Sequence, residues 1–292
     1  MDPQVVLVTG CSSGFGDLIA RTLARAGHTV VASMRGVGDR NAQPASDLQA
    51  WAATEKLRLR VVEMDVASTG SVEAAVAGVI AAEGRVDVVV NNAAIAAGGP
   101  LEAFDIEQMQ ELFDINVFGP MRVDKAVLPQ MRQRRAGLLI HVTSTLGRIL
   151  PRSGGLYPAS KWAAEGLAES LYYQVKPFGI DVTILEPGTF PTPAISKGMR
   201  PARASVAEEY AAIAGPARRS EPGADYVPPD PQEVADAIQR LTESPPGERP
   251  LRLVVGPIFT EGVAEYNHAY EQARDALAES LLRPDQAITW AR

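Results

Sequence analysis

Residues 5–16 read VVLVTGCSSGFG. Val5 to Val8 are apolar and mostly β-branched, and Thr9–Gly10 stop the run at once, which is how a buried parallel strand ends at a turn. Gly10, Gly14 and Gly16 follow, and then Leu18, Ile19, Thr22, Leu23 and Ala26 recur at helical spacing. Strand, glycine-rich turn and helix start together make a phosphate cradle. The N–H groups around Ser12, Ser13, Gly14 and Phe15 and the helix dipole face an anion, and the missing side chains let a pyrophosphate come close. A glycine triplet alone is a weak signal; the strand before it and the helix after it make this a dinucleotide site.

Working outward, the next apolar run spans His28 to Met34 and ends ASMRG. In dinucleotide folds a carboxylate near this point takes the ribose 2′-hydroxyl of NAD, whereas an arginine suits the extra phosphate of NADP. Met34 is not acidic and Arg35 offers the planar fork that phosphate favours, so NADP(H) is expected over NAD(H). The plain alternative for Arg35 is a solvated side chain at a strand end. After a short helix around 46–54, RLRVVEMDV (58–66) reads as a third strand ending at Asp65 and Val66. Asp65 fits either the adenine side of the crevice or the N-cap of the next helix, 69–83. Val86 to Val90 is a fourth strand, closed by Asn91, Asn92, Ala93 and Ala94, small and amide residues that let a ligand lie close to backbone.

Strands alternating with helices over 292 residues point to one α/β unit. A formal charge of −7 gives no broad electrostatic footprint for nucleic acid. Cys11 is the single cysteine, and His28, His141 and His268 stand in no metal-ligand spacing, so neither a disulfide nor a metal site is expected. No apolar stretch is long enough for a membrane span and the first residues lack a secretory pattern; a cytoplasmic protein with no membrane or nucleic-acid partner is the simplest expectation.

Two helical patterns, about 101–114 and 116–134, run nearly together, and Asn116 interrupts them. A polar amide there either satisfies backbone groups at a kink or holds a water. Gly137 to Ser144 is a fifth strand, which places Ser144 at a carboxyl end, where such sheets bind ligands. About ten residues later a helix starts, with Tyr157 and Lys161 one turn apart on one face. An ammonium about 5 Å from a phenol, at an effective dielectric near 20, favours phenolate by about 3 kcal/mol. That makes Tyr157 an acid/base candidate; the bland alternative is Lys161 paired with Glu165 on a solvated face.

In register, TGCSSGFG (9–16), NNAA (91–94), Asn116, Ser144, YPASK (157–161) and EPGTFPT (186–192) resemble the short-chain dehydrogenase/reductase family over about residues 4–256. TGCSSGFG with ASMR looks like the branch containing 17β-hydroxysteroid and retinol dehydrogenases. The resemblance implies a Rossmann-type doubly wound parallel sheet of seven strands, order 3-2-1-4-5-6-7, in three α/β/α layers. It also implies hydride transfer between an alcohol and a carbonyl, with a bulky apolar substrate as first expectation and a small polar, sugar or acyl ketone as the alternative. A regulator that binds cofactor without chemistry is the reading from another class. By the same resemblance Ser144 holds the substrate oxygen, Lys161 also bonds the nicotinamide ribose, Asn116 holds a water, and Pro187, Gly188, Thr189 and Thr192 cover the nicotinamide side. Ala94 departs from the family's usual glycine. A homodimer or homotetramer is the family's habit.

The last third holds a long Pro-, Ala- and Gly-dense segment, 189–230, with a short helix near 206–214. A loop of this length inside a compact fold is expected to be a lid or binding loop. A helix 231–243 and a strand 251–255 follow. Beyond them Val263, Tyr266, Tyr270, Ala273, Leu277 and Leu281 form a stripe expected to cover the substrate cleft or core, with a subunit interface as the alternative.

Overall fold

The computed structural model describes residues 2–151, 154–214, 228–257 and 260–281. Seven parallel strands form one sheet in the expected order: β3 (Leu59–Glu63), β2 (Thr29–Met34), β1 (Val5–Thr9), β4 (Val88–Asn91), β5 (Gly137–Val142), β6 (Ile180–Pro187) and β7 (Arg252–Val255). All neighbours are parallel because every connection crosses back through helix. Val6 pairs with Val30 on one side and Val88 on the other, so the strand order reverses between β1 and β4. A crevice opens there at the carboxyl ends.

The strands have no polar face because both faces are covered. Val6 and Val8 of β1 turn toward α1 (Gly14–Arg25), α2 (Ala42–Thr54) and, from the far end of the chain, α9 (Gln232–Glu243). Val5 and Leu7 turn to the opposite layer, α3 (Thr69–Glu83), α5 (Gly119–Arg134) and α6 (Leu156–Val175). Helix α9 presents Val234, Ala237, Ile238 and Leu241 to the sheet, all buried.

Several boundaries near the site differ from the sequence reading. Strand β3 stops at Glu63 and β5 at Val142, short of Asp65 and Ser144. After Val142 the Ser144 Oγ accepts from the Leu146 N–H at 3.1 Å and starts a single tight turn, 145–147, which takes the chain off the sheet edge. The two middle helices are α4 (Ile106–Phe113) and α5, joined through a wider π-type turn at Asp114–Phe118. Asn116 lies inside that turn, where widened backbone is a common site for a polar side chain with a task.

The long segment after Thr189 is more ordered than a bare loop. It contains α7 (Pro193–Ser196) and α8 (Ala204–Ala214), and residues 215–227 lie outside the described ones. Met199 pairs with Ala97 as a parallel bridge, the Arg203 N–H donates to the Ala103 carbonyl at 3.0 Å, and the Gln108 side chain donates to the Arg200 carbonyl at 2.8 Å. These bonds tie the segment to the exit of β4 and form one wall of the crevice.

The C-terminal helix, α10 (Thr260–Leu281), corrects the stripe expected for it. Val263 is buried, but Tyr266 and Tyr270 are partly exposed and Ala273 is exposed; the helix docks through the polar Asn267, only 6% exposed. The Leu277 and Leu281 side chains lie outside the described residues.

Candidate active site

A cleft of about 750 Å³ runs along the carboxyl edge of the sheet, a size ordinary for a cofactor with its substrate. One end is the glycine turn. Gly10 and Gly14 have φ of +75° and +61°, a region that side chains disfavour. A side-chain carbon on Gly10 would sit 2.8 Å from the Ala93 backbone, and one on Gly16 would overlap the Gly10 carbonyl. Gly16 thus serves by letting α1 press against the turn and does not itself line the cleft, whereas Ser12, Ser13, Gly14 and Phe15 do. Ser13, at the N-cap of α1, is extended and makes no side-chain cap bond. The first N–H groups of the helix are therefore not satisfied by a cap, and an anion fits there.

Thr9, read from the sequence only as the end of the first strand, holds the turn to β4. Its hydroxyl accepts from the Asn92 and Ala93 N–H groups at 3.0 and 2.9 Å, and the Asn92 amide donates back to the Thr9 carbonyl at 2.8 Å. The Asn92 side chain is a brace between two strand ends, although Asn92, Ala93 and Ala94 all face the cleft.

At the β2 end the cleft is lined by Arg35 and also by Arg40 and Asn41, neither of which any motif marked. Asn41 donates to the Arg35 carbonyl at 2.6 Å, which fixes the backbone beneath the guanidinium. Glu63, at the end of β3, accepts from the Gly36 and Val37 N–H groups at 2.7 Å each and folds this loop back onto the sheet. Asp65 and Val66 line the same end. The Asp65 carboxylate bonds the Ala67 N–H, and the cap of α3 is Ser68, so the N-cap alternative for Asp65 does not hold.

At the other end the Ser144 turn, α6 and the start of the 187–192 segment meet. Ser144, Tyr157, Lys161, Pro187, Gly188, Thr189 and Thr192 all line the cleft. Lys161 is buried and donates to the Val142 carbonyl at 3.0 Å, with its nitrogen 5.6 Å from the centre of the Tyr157 ring. The solvated Lys161–Glu165 pair is absent, since both side chains are buried and Glu165 turns to Thr143, Arg148 and Arg252. Asn116 stands behind the cleft. Its amide accepts from the Ile95 N–H and donates to the Ile95 carbonyl, both at 2.9 Å, and also donates to the Ser160 hydroxyl at 3.0 Å. It binds the exit of β4 to the residue beside Lys161.

The charge balance differs from the expectation that Lys161 acidifies the phenol. Burial pushes Tyr157 up to about 12, and the Ser144 hydroxyl offsets only part of the rise. Tyr157 keeps some surface open to the cleft, yet the protein packed around its hydroxyl disfavours phenolate. Burial also lowers Lys161 to about 8, with Glu165 opposing. Near neutral pH the pair is therefore a neutral phenol beside an ammonium. Among the described residues no group of three His, Cys, Asp or Glu side chains could hold a metal ion, and no helix is long and apolar enough to cross a membrane.

A sequence profile described as short chain dehydrogenase matches residues 4–201, two thirds of the chain. The chain belongs to the short-chain dehydrogenase family. Human retinol dehydrogenase 8 is 35% identical to it over 283 residues, which cover 88% of this chain and 84% of that protein. A 3-ketodihydrosphingosine reductase of Bacteroides thetaiotaomicron is 38% identical over 192 residues, 66% of each chain. Among solved structures, an alcohol dehydrogenase from the archaeon Thermococcus sibiricus, complexed with 5-hydroxy-NADP, superposes with a TM-score of 0.70 at 29% identity, covering 87% of this chain and 96% of that one. The protein is thus an oxidoreductase of the branch with hydroxysteroid- and retinol-dehydrogenase members.

Proposed function

We propose that this short-chain dehydrogenase uses NADP(H) to interconvert an alcohol and a carbonyl, acting on a bulky apolar secondary alcohol or ketone. The observation that carries the reading is the meeting of Ser144, Tyr157 and Lys161 in the same cleft as the glycine turn. A bound nicotinamide supplies or accepts the hydride. In reduction Tyr157 gives its phenolic proton to the substrate oxygen, and the neutral phenol favoured by burial is the form that can do so. Ser144 donates to that oxygen and steadies its developing charge. In oxidation the proton returns to Tyr157, with the Lys161 ammonium stabilising the phenolate. Asn116 acts one step removed, through Ser160 and the Ile95 backbone.

The N–H groups at Ser12 to Phe15 would hold the pyrophosphate, Asp65 and Val66 the adenine side, and Pro187 to Thr189 with Thr192 the nicotinamide side. Arg35, joined by Arg40, would take the 2′-phosphate. Retinol and 3-ketodihydrosphingosine, named for two relatives, are largely hydrocarbon. Ala96, Ala97, Leu146 and Met199 line the same cleft and support an apolar substrate here as well.

The test is a panel of ketones with NADPH or NADH, followed by nicotinamide absorbance. Turnover of none of them with either cofactor overturns the reading. Arg35→Asp is expected to raise KM for NADPH roughly tenfold or more, since it replaces a charge-assisted contact with repulsion, and to leave NADH nearly unchanged. An unaltered NADPH/NADH ratio would remove Arg35 from the phosphate site.

A further inference from the structure

Tyr157, Lys161, Glu165, Glu169 and Tyr173 recur every four residues along α6, so the face that carries the phenol and ammonium continues directly into two carboxylates. The turn after Ser144 rests on the first of them. Thr143 donates its hydroxyl to Glu165 at 3.1 Å, and Gly147 lies so close that a side-chain carbon there would collide with the same carboxylate. Arg148, the next residue, points away from the cleft into a buried cluster. Its guanidinium stands 4.7 Å from the ring centres of both Tyr266 and Tyr270 and 3.7 Å from Glu165. Its Nε donates to the Asn267 Oδ1 at 2.7 Å, and the Asn267 Nδ2 donates to Glu186 at 2.6 Å.

We infer that Asn267 of α10 is a positioning residue for the reaction: by joining Arg148, which also faces Glu165 of α6, to Glu186 at the end of β6, it fixes the Ser144 turn, so the C-terminal helix completes the active site. The amide suits this bridge because it presents one acceptor to the guanidinium and one donor to the carboxylate. A leucine of similar size has neither, and an aspartate keeps the acceptor but faces Glu186 with like charge. Among the described residues the Asn267 side chain hydrogen-bonds Arg148 and Glu186, neither of which lines the cleft, and it reaches Ser144 through Arg148 and the backbone of 145–148.

Two measurements on Asn267→Leu test this. The first is hydrogen exchange at Leu146, Gly147 and Arg148, whose N–H groups bond Ser144 Oγ, the Ser144 carbonyl and the Thr145 carbonyl. They are expected to exchange about tenfold faster than in the parent while Val6 and Leu7 of β1 keep their rates. The second, which rests on the dehydrogenase reading, is a fall in kcat of about tenfold with the NADPH Kd unchanged, and an Arg148→Leu/Asn267→Leu double variant no worse than the poorer single one. Parent-like exchange in the turn, a rise shared equally by β1, or additive losses in the double variant overturns the inference. If Asn267→Leu does not fold, Asn267→Ser is measured against the same outcomes. A parent protein that reduces no ketone sinks the dehydrogenase reading alone, because the exchange rates still decide the role of Asn267.

Discussion

Tyr157→Phe is expected to lower kcat about 10³-fold with the NADPH Kd within a factor of a few, a loss of about 4 kcal/mol of transition-state stabilisation. The ring that packs against its neighbours is kept and only the hydroxyl is removed, so the fold and the cofactor cradle at Ser12 to Phe15 are undisturbed. What disappears is the proton source for the substrate oxygen. The pH profile adds a second check. A neutral phenol and a charged Lys161 coexist below about pH 8, the Lys161 value, so kcat/KM for carbonyl reduction should hold on the acid side and decline as the ammonium loses its proton above that pH. Equal turnover by the phenylalanine variant would remove Tyr157 from the proton path.

Arg252→Leu carries the largest expected cost in stability. The guanidinium is buried, bonds Glu169 at 2.7 Å, and stands 3.6 and 3.5 Å from Glu165 and Glu186. Removing it leaves three carboxylates in a buried site with less compensating charge. The expected loss is about 3–5 kcal/mol, seen as a urea midpoint shift, and a Tm lower by roughly 10 °C. The sign of the pH dependence follows from the carboxylates. Burial raises Glu165 and Glu186 above the usual carboxylate range, so the folded state retains a proton that the unfolded chain has released. Their contribution is therefore fully present below the unfolded value near 4.5 and is lost as pH rises through the elevated folded values. Without Arg252 those values rise further. The deficit of the variant should be greatest above neutral pH and shrink toward pH 5, and a deficit independent of pH would contradict this account of the cluster.

The Arg252 and Asn267 predictions share one origin that no motif exposes. For Glu165 the sequence offers only the bland alternative of a solvated pair with Lys161, because i,i+4 spacing on a helix is all that is visible. Whether that face meets water or the β6–β7 edge depends on where residues 186, 252 and 267 arrive, from 21 to 102 positions away. The helix stripe of α10 misleads in the same manner: Tyr266 and Tyr270 look like core anchors, yet they flank a guanidinium while the polar Asn267 goes inward. The roles of Asn41 and Thr9 escaped notice because each works through hydrogen bonds to nearby backbone, which leave no periodicity, and Arg40 because it reaches the cleft from a loop that carries no motif.

Local chemistry was enough for much of this protein. The β-branched runs bounded by turns, the three glycines before a helix and the apolar run that ends just before Ser144 determine a parallel sheet with a ligand crevice, since each depends only on backbone sterics and side-chain period. They also point to Ser12 to Phe15 and to Ser144, which line that crevice. Tertiary structure alone decided their electrostatics. An ammonium one turn from a phenol promises an acidified tyrosine in any medium that solvates charge, but the packed interior withdraws that solvation from both groups and reverses the shift. Tertiary structure also decided that the turn carrying Ser144 is held from behind by a helix more than a hundred residues later in the chain.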